Sequence, residues 1–225
     1  MKAITLTQPF AYLSGALHGD AWLTPLTLGL RSKDQDFAET FSAAVASSFS
    51  VRRQPRQDER GYWLYRTSNK TGRFNPLFGF EPQNNEERRA WLRGMFDSEG
   101  NVQLRLNGMS TQSYGRRVAF YSTNTITLNM CSQYLMDLGM LARLNPTKAS
   151  TGHLGDKVVY ELCLRGSLEN YQRFAALVGS SIQRKRDRLD AIPGTYKPDR
   201  SAHCRAAQKI GAAIRSARRD AGGKY

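Results

Sequence analysis

The feature that most limits what this chain can fold into is that part of it occurs twice. Residues 11–20 read AYLSGALHGD and residues 90–99 read AWLRGMFDSE; at a constant offset of 79 residues they agree in character at most positions. Ala11 falls on Ala90, Tyr12 on Trp91, Leu13 on Leu92 and Gly15 on Gly94. Further along, Leu17 falls on Phe96, Gly19 on Ser98 and Asp20 on Glu99. Such self-similarity points to related structural units that bury their apolar faces against one another. A chain of 225 residues has room for two of them.

The repeated segment has the spacing of a helix. Leu13 and Leu17, and likewise Leu92 and Phe96, lie four apart on one face. Roughly opposite runs a stripe of small residues, Ala11, Gly15 and Gly19 in one copy and Ala90, Gly94 and Ser98 in the other. Glycine inside a helix costs about 1 kcal/mol relative to alanine, so matched stripes predict two helices packed backbone to backbone. Asp20 and Glu99 each come one residue after the stripe, so that packing brings them side by side. Two carboxylates at helix C-termini repel each other and face the negative pole of the helix dipole. A hard divalent cation with oxygen ligands, Mg²⁺ above all, relieves both effects.

On these residues a family resemblance becomes visible. LSGALHGDA (13–21) and LRGMFDSEG (92–100) resemble the two copies of the nonapeptide of the LAGLIDADG homing endonucleases. The second is the better match; in the first, His18 stands where an acid is frequent and Ala21 where glycine is usual. The resemblance covers roughly residues 8–190. It implies an α+β fold of two pseudo-twofold αββαββα halves with antiparallel DNA-binding sheets, and metal-assisted cutting of both DNA strands at a long intron or inteinic insertion site. It also implies that Asp20 and Glu99 hold Mg²⁺ or another divalent cation, with backbone carbonyls of Gly19 and Ser98 completing the spheres. By the same resemblance a basic residue stands near each scissile phosphate: Lys185 in QRKRDRLD (183–190), with Arg184 behind it, and Lys70 by order in the first half.

The rest of the chain can be read against that plan. The halves are expected at 1–80 and 89–192, with a linker at 81–88 and a basic tail at 193–225. In the first half, Leu26, Leu28 and Leu30 alternate with polar neighbours, and Phe37, Phe41, Val45 and Phe49 mark an amphipathic helix. VRRQPRQ (51–57) reads as a basic edge strand interrupted by Pro55, and YWLYRTS (62–68) as the fourth strand. FNPLFGFEPQNN (74–85), with two prolines, leaves only a degenerate closing helix. In the second half, NVQLRLN (101–107) and RRVAFYST (116–123) read as strands joined by the loop 108–115. A helix over 124–140 is suggested by Ile126, Met130, Tyr134, Leu135 and Leu138, and ends at Gly139. Strands at 142–150 and 157–165 and a helix at 167–180 complete it. Arg31, Arg52, Gln54, Arg56, Gln103, Arg105, Arg117 and Tyr121 fall on the polar strand faces and are the candidates for reading DNA.

Composition agrees with a polyanionic partner. The formal charge is +14 with 40% hydrophobic residues, enough for a core and strongly basic outside it. Cys131, Cys163 and Cys204 are far apart and form no metal-binding pair with a neighbouring cysteine. No apolar run nears the ~18 residues of a membrane span, and MKAITLTQPF is unlike a secretory signal. A monomer in a reducing intracellular compartment, cytoplasmic or an organelle matrix, is therefore expected, as a freestanding or intron-encoded protein. Double-stranded DNA is the expected partner, with intron RNA as a further one. An RNA maturase and a catalytically silent DNA-binding protein on the same scaffold remain the alternatives. The tail segment SAHCRAAQKIGAAIRSARR (201–219) reads as a helix on phosphate or as a segment ordered only by DNA.

Overall fold

The computed structural model describes residues 8–107, 113–147 and 157–196. Met1–Pro193 form one compact unit and Gly194–Tyr225 a second. The expected tail, the tip of the 108–115 loop, and the end of the 142–150 strand fall outside the described residues, wholly or in part.

The first half runs α1 (Pro9–Ala16), β1 (Ala21–Leu23), β2 (Thr27–Ser32), α2 (Gln35–Phe49), β3 (Arg56–Gln57) and β4 (Trp63–Ser68). A single 3₁₀ turn, Asn75–Leu77, stands where a closing helix would be. The second half runs α3 (Asn85–Glu99), β5 (Gly100–Asn107), β6 (Ser113–Ser122), α4 (Thr125–Asp137), β7 (Ala142–Pro146), β8 (Tyr160–Leu164), α5 (Leu168–Leu177) and α6 (Gln183–Ala191). Each half has a four-stranded antiparallel sheet, ordered β1-β2-β4-β3 and β5-β6-β8-β7, the same winding twice. The α+β architecture of two related halves is as the repeat predicts.

Sequence chemistry places most boundaries. Pro9 at the first position pre-sets α1. Asn84 caps α3 by accepting from the Glu87 N–H, while the Glu87 carboxylate reaches back to the N–H of Gln83. That cap draws the first turn of α3 into the stretch expected as linker, which is linker only as far as Asn84. The hydroxyls of Ser32 and Ser122 accept from the N–H groups of Asp34 and Asn124 at 3.1 Å each, so the strand-to-helix corner also occurs twice. Gly139, at φ +73°, closes α4 in the left-handed conformation.

Two expectations change, and one stretch gains an element. VRRQPRQ pairs only at Arg56–Gln57, because Pro55 has no N–H to donate to β4; Arg52 and Gln54 precede the ladder. The buried stripe of α4 is Thr127, Leu128, Cys131 and Leu135, and Ile126 is 72% exposed, so the helix is rotated from the face its periodicity suggested. The charged stretch 183–190 is a helix of its own, α6.

The centre of the molecule is the contact between α1 and α3. A methyl built on Gly15 would lie 2.0 Å from the carbonyl oxygen of Trp91, and one on Gly94 would lie 2.1 Å from that of Tyr12. Since Tyr12 and Trp91 are themselves repeat partners, the two contacts are one contact seen from both sides of the pseudo-twofold axis. The sheets pack behind the helices, with Phe96, Phe120 and Phe174 edge to face in one half and Phe41 against Tyr65 in the other.

Alanine in an ordinary exposed helix position would replace glycine at a gain of about 1 kcal/mol. Here Gly15→Ala and Gly94→Ala are each expected to destabilise by about 2–3 kcal/mol, because the new Cβ meets backbone that has no rotamer to escape into. Urea unfolding of the two variants checks the sign; a gain in stability at either position would refute the close helix contact.

Candidate functional site

The glycine contact delivers the two acids to one place. Past Ala16, α1 tightens: His18 N–H bonds to Gly15 O and Gly19 N–H to Ala16 O, so Asp20 lies in a turn leading into β1. α3 keeps its helical form to Glu99, which is its last residue. The acids therefore do not occupy matching helix ends as the repeat suggests; one is on a turn and the other on a helix. Gly19 and Ser98 touch, with a methyl on Gly19 reaching 2.4 Å from Ser98 Cβ and 3.1 Å from Glu99 Oε1. Three of the four residues expected to hold a cation, Gly19, Ser98 and Glu99, thus stand together, and the charge of the fourth, Asp20, acts on Glu99.

Their electrostatics are those of an unneutralised pair. Burial, with Asp20 adding its charge, pushes the Glu99 carboxyl up to about 7. Asp20 opens to solvent but is also raised, by the surrounding protein first and then by Asp34, while Lys185 opposes both shifts. The donor set is all oxygen, which suits a hard cation beside phosphate. Among the described residues no cluster of three or more His, Cys, Asp or Glu side chains could hold a metal ion, so a cation here depends on this pair and backbone carbonyls.

Lys185 comes from α6 and is only 3% exposed. Its Nζ donates to the carbonyl oxygens of Phe96 and Asp97, at 2.6 and 2.8 Å, in the last turn of the helix that carries Glu99. Burial pushes its pKa down to about 8. The lysine satisfies helix-end carbonyls and sets a positive charge behind the acids. Lys70 is placed differently. It is exposed, lines an open groove of about 430 Å³ with Arg53, Arg66 and Leu26, and is not among the charges acting on Asp20 or Glu99.

Asp97 was not singled out by its sequence position, yet it is fully buried and organises the site from below. It accepts from the Tyr12 hydroxyl at 2.8 Å, the Ser180 hydroxyl at 2.5 Å and the Ser181 N–H at 3.0 Å. Burial raises its pKa, with Lys185 and these three donors opposing. The repeat partner of Asp97 is His18, whose Nδ1 lies 3.2 Å from the Thr127 hydroxyl and whose ring sits 5.0 Å from Trp91. The pairs Tyr12–Asp97 and Trp91–His18 are therefore counterparts, one joined by a hydrogen bond and the other by a ring contact.

The sheets carry the expected polar faces. Arg31 is exposed, stacks 4.4 Å over the Tyr62 ring and donates to Asp58 at 2.7–2.9 Å. Arg56 is exposed on the same face, and cross-strand pairing adds Arg66, opposite Gly29 and beside Trp22. Arg52 and Gln54 are exposed ahead of that edge. On the other sheet, Gln103 pairs with Arg117 and Arg105 with Gly115, and Arg143 lies opposite Cys163. Arg117 and the Tyr121 hydroxyl both bond to Glu161, a buried carboxylate on this face. Alternation along β4 would have flagged Arg66, since it shares parity with Leu64 and Ser68. Glu161 left no such signal, because its burial depends on partners 40 or more residues away.

Comparison with known proteins matches this geometry. Residues 86–179 match the family model of the LAGLIDADG-like domain. The matched stretch is the second half, from the first turn of α3 to the end of α5. The likeness in fold covers both halves. The homing endonuclease I-DmoI in complex with DNA and Ca superposes with TM-score 0.56 at 17% identity, over 83% of this chain and 99% of that one. Full-length WhiA from Thermatoga maritima superposes with TM-score 0.57 at 15% identity, over 96% of this chain and 72% of that one. An uncharacterised protein of Methanocaldococcus jannaschii is 24% identical over 153 residues, 60% of this chain and 56% of that protein. At these identities the likeness to solved structures establishes the LAGLIDADG fold, and the chemistry has to be argued from the acids.

The pKa shifts set a pH signature for the metal-free protein. Glu99 binds its proton more tightly folded than unfolded, so the stability it contributes is full below pH 4.5 and is lost as pH rises through about 7. Lys185 acts in the opposite sense: the unfolded chain holds its proton more tightly, so stability returns as pH rises from about 8 to 10.5. Thermal melts in EDTA should show a minimum between these windows. Glu99→Gln should raise the melting temperature at pH 8, by the equivalent of about 1 kcal/mol. A lowered melting temperature in that variant would show that Glu99 is not electrostatically frustrated.

Proposed function

We propose that the protein is a divalent-metal-dependent double-strand DNA endonuclease of the homing type, acting as an intracellular monomer at an intron or intein insertion site. The observation that carries this reading is the acid pair: Asp20 and Glu99 sit at the meeting point of two pseudo-twofold halves, each with a basic sheet face. The fold is also that of WhiA, so the acids rather than the fold support catalysis. I-DmoI, which shares the fold, is a homing endonuclease solved with DNA and with Ca or Mn.

The chain's own residues would divide the work as follows. The outward sheet faces bind the duplex: phosphate contacts of exposed arginines give affinity and register, and base-edge contacts give sequence preference. Arg31 and Arg117 are each fixed by a carboxylate, Asp58 and Glu161, which orients their remaining N–H groups. Asp20 and Glu99, with Gly19 and Ser98, are the residues that would hold Mg²⁺, one acid for each strand. A cation bound there would supply Lewis-acid stabilisation of charge developing on phosphate oxygens. Lys185 holds a positive charge behind the acids and opposes the rise that burial imposes on both carboxyls.

Duplexes enriched from a random pool by binding in Ca²⁺ and then exposed to Mg²⁺ test the proposal. Both strands should be cut, and Asp20→Asn or Glu99→Gln should each reduce cutting by about 10²-fold or more while Ca²⁺-phase binding is retained. With unequal surroundings for the two acids, the variants should leave nicks preferentially on opposite strands. Duplexes that are bound but never cut, or cutting indifferent to Asp20→Asn, would remove the nuclease reading and leave a DNA-binding protein.

A further inference from the structure

The helix that delivers Lys185 is held in place by the other half of the molecule. α6 starts after Ile182, which offers no side-chain cap. The first N–H of the helix, that of Gln183, is donated to Asp36 Oδ2 at 2.5 Å. One residue later, Arg184 donates from Nε and Nη2 to the two carboxylate oxygens of Asp34, each at 2.7 Å. This is a bidentate fork, the stronger geometry of arginine and carboxylate.

Asp34 and Asp36 are the N-cap and a first-turn residue of α2. The N-termini of α2 and α6 therefore meet, two partial positive poles with two aspartates between them. Asp34 makes no side-chain cap bond to its own helix. Its counterpart at the repeated corner, Asn124, caps α4 in the usual way by accepting from the N–H groups of Ile126 and Thr127. Asp34 has exchanged that local role for one across the halves. The residue after Arg184 is Lys185, with its Nζ on the last turn of α3.

We propose that Asp34–Arg184 and Asp36–Gln183 form a latch between the halves that positions Lys185 behind the acid pair. Arg184 and Asp34 are then positioning residues: neither is required to touch DNA. A lysine carried by the second half answers to the first, and the charge behind both acids is set only when the halves are closed on each other. The inference rests on the proposed function only for the meaning given to the acid pair.

The latch can be tested on the full-length protein without a DNA substrate. Brief acetylation with acetic anhydride, read by mass spectrometry, reports the exposure of Lys185, with exposed Lys70 as internal reference. Wild-type Lys185 should be protected. Arg184→Gln should raise its labelling about tenfold relative to Lys70, a factor worth about 1.4 kcal/mol, and the conservative Arg184→Lys should restore most of the protection. Asp34→Asn provides the same loss from the opposite side of the pair. Calorimetric titration with Mg²⁺ adds a reading that general loosening would not move: withdrawing a fixed cation should tighten Mg²⁺ binding several-fold in Arg184→Gln. Unchanged Lys185 labelling in both Arg184→Gln and Asp34→Asn, or Mg²⁺ binding unaltered in the first, would overturn the latch. Failure of wild-type protein to bind Mg²⁺ would instead remove the metal reading, and labelling alone would then decide the latch.

Discussion

Everything about the site depends on how closely α1 and α3 approach. The carbonyl of Trp91 occupies the space where Gly15 would carry a side chain, and the carbonyl of Tyr12 does the same at Gly94. At that separation the turn after α1 and the end of α3 cannot avoid each other, so Gly19 meets Ser98 and Glu99, and the charge of Asp20 acts on Glu99. A wider crossing, filled by alanine or leucine, would pack an equally apolar core and leave Asp20 and Glu99 as unrelated surface charges. The glycine stripes thus trade helix propensity for the placement of charge.

That placement creates an electrostatic problem which the surrounding residues address in layers. Glu99 is pushed to about 7 by burial and by Asp20, a cost borne by the metal-free fold. Lys185 moderates it from behind the helix end, but is itself pushed down to about 8, because burying an ammonium is also unfavourable. Its positive charge is answered by Asp97, and Asp97 by three hydrogen-bond donors. Each buried charge is acceptable only because the next group satisfies it. Removing one member would leave its neighbours unpaired, so the network behaves as a unit under the acids.

The sequence was most legible where the physics is local. Glycine spacing, strand alternation, the prolines at 76 and 82 and the small-to-acid sequence of the repeat fixed the halves, their order and the meeting of Asp20 with Glu99. Legibility failed where a residue's role is decided by something distant. Ile126 fits the periodicity of α4 but lies on its exposed side, because the helix is rotated by what it packs against rather than by its own pattern. Lys70 holds the expected place in chain order, but the degenerate 74–85 stretch provides no helix to carry a lysine inward. Glu161 and Asp97 looked like ordinary strand and motif acids; only the tertiary fold shows that each is a buried acceptor.

The departures from twofold symmetry follow from one missing element. The second half ends in α5 and α6, while the first has only a 3₁₀ turn at Asn75–Leu77 after β4. With no helix to bring a lysine behind Asp20, the first half has no need of a buried carboxylate to receive it. The position matching Asp97 can then be His18, whose pKa burial lowers and which pairs with a hydroxyl and an aromatic ring rather than with charge. Asp34, relieved of capping α2, faces the one closing helix that does exist. A single truncation thus accounts for the histidine opposite Asp97 in the repeat, the solitary lysine and the aspartate that reaches across the halves.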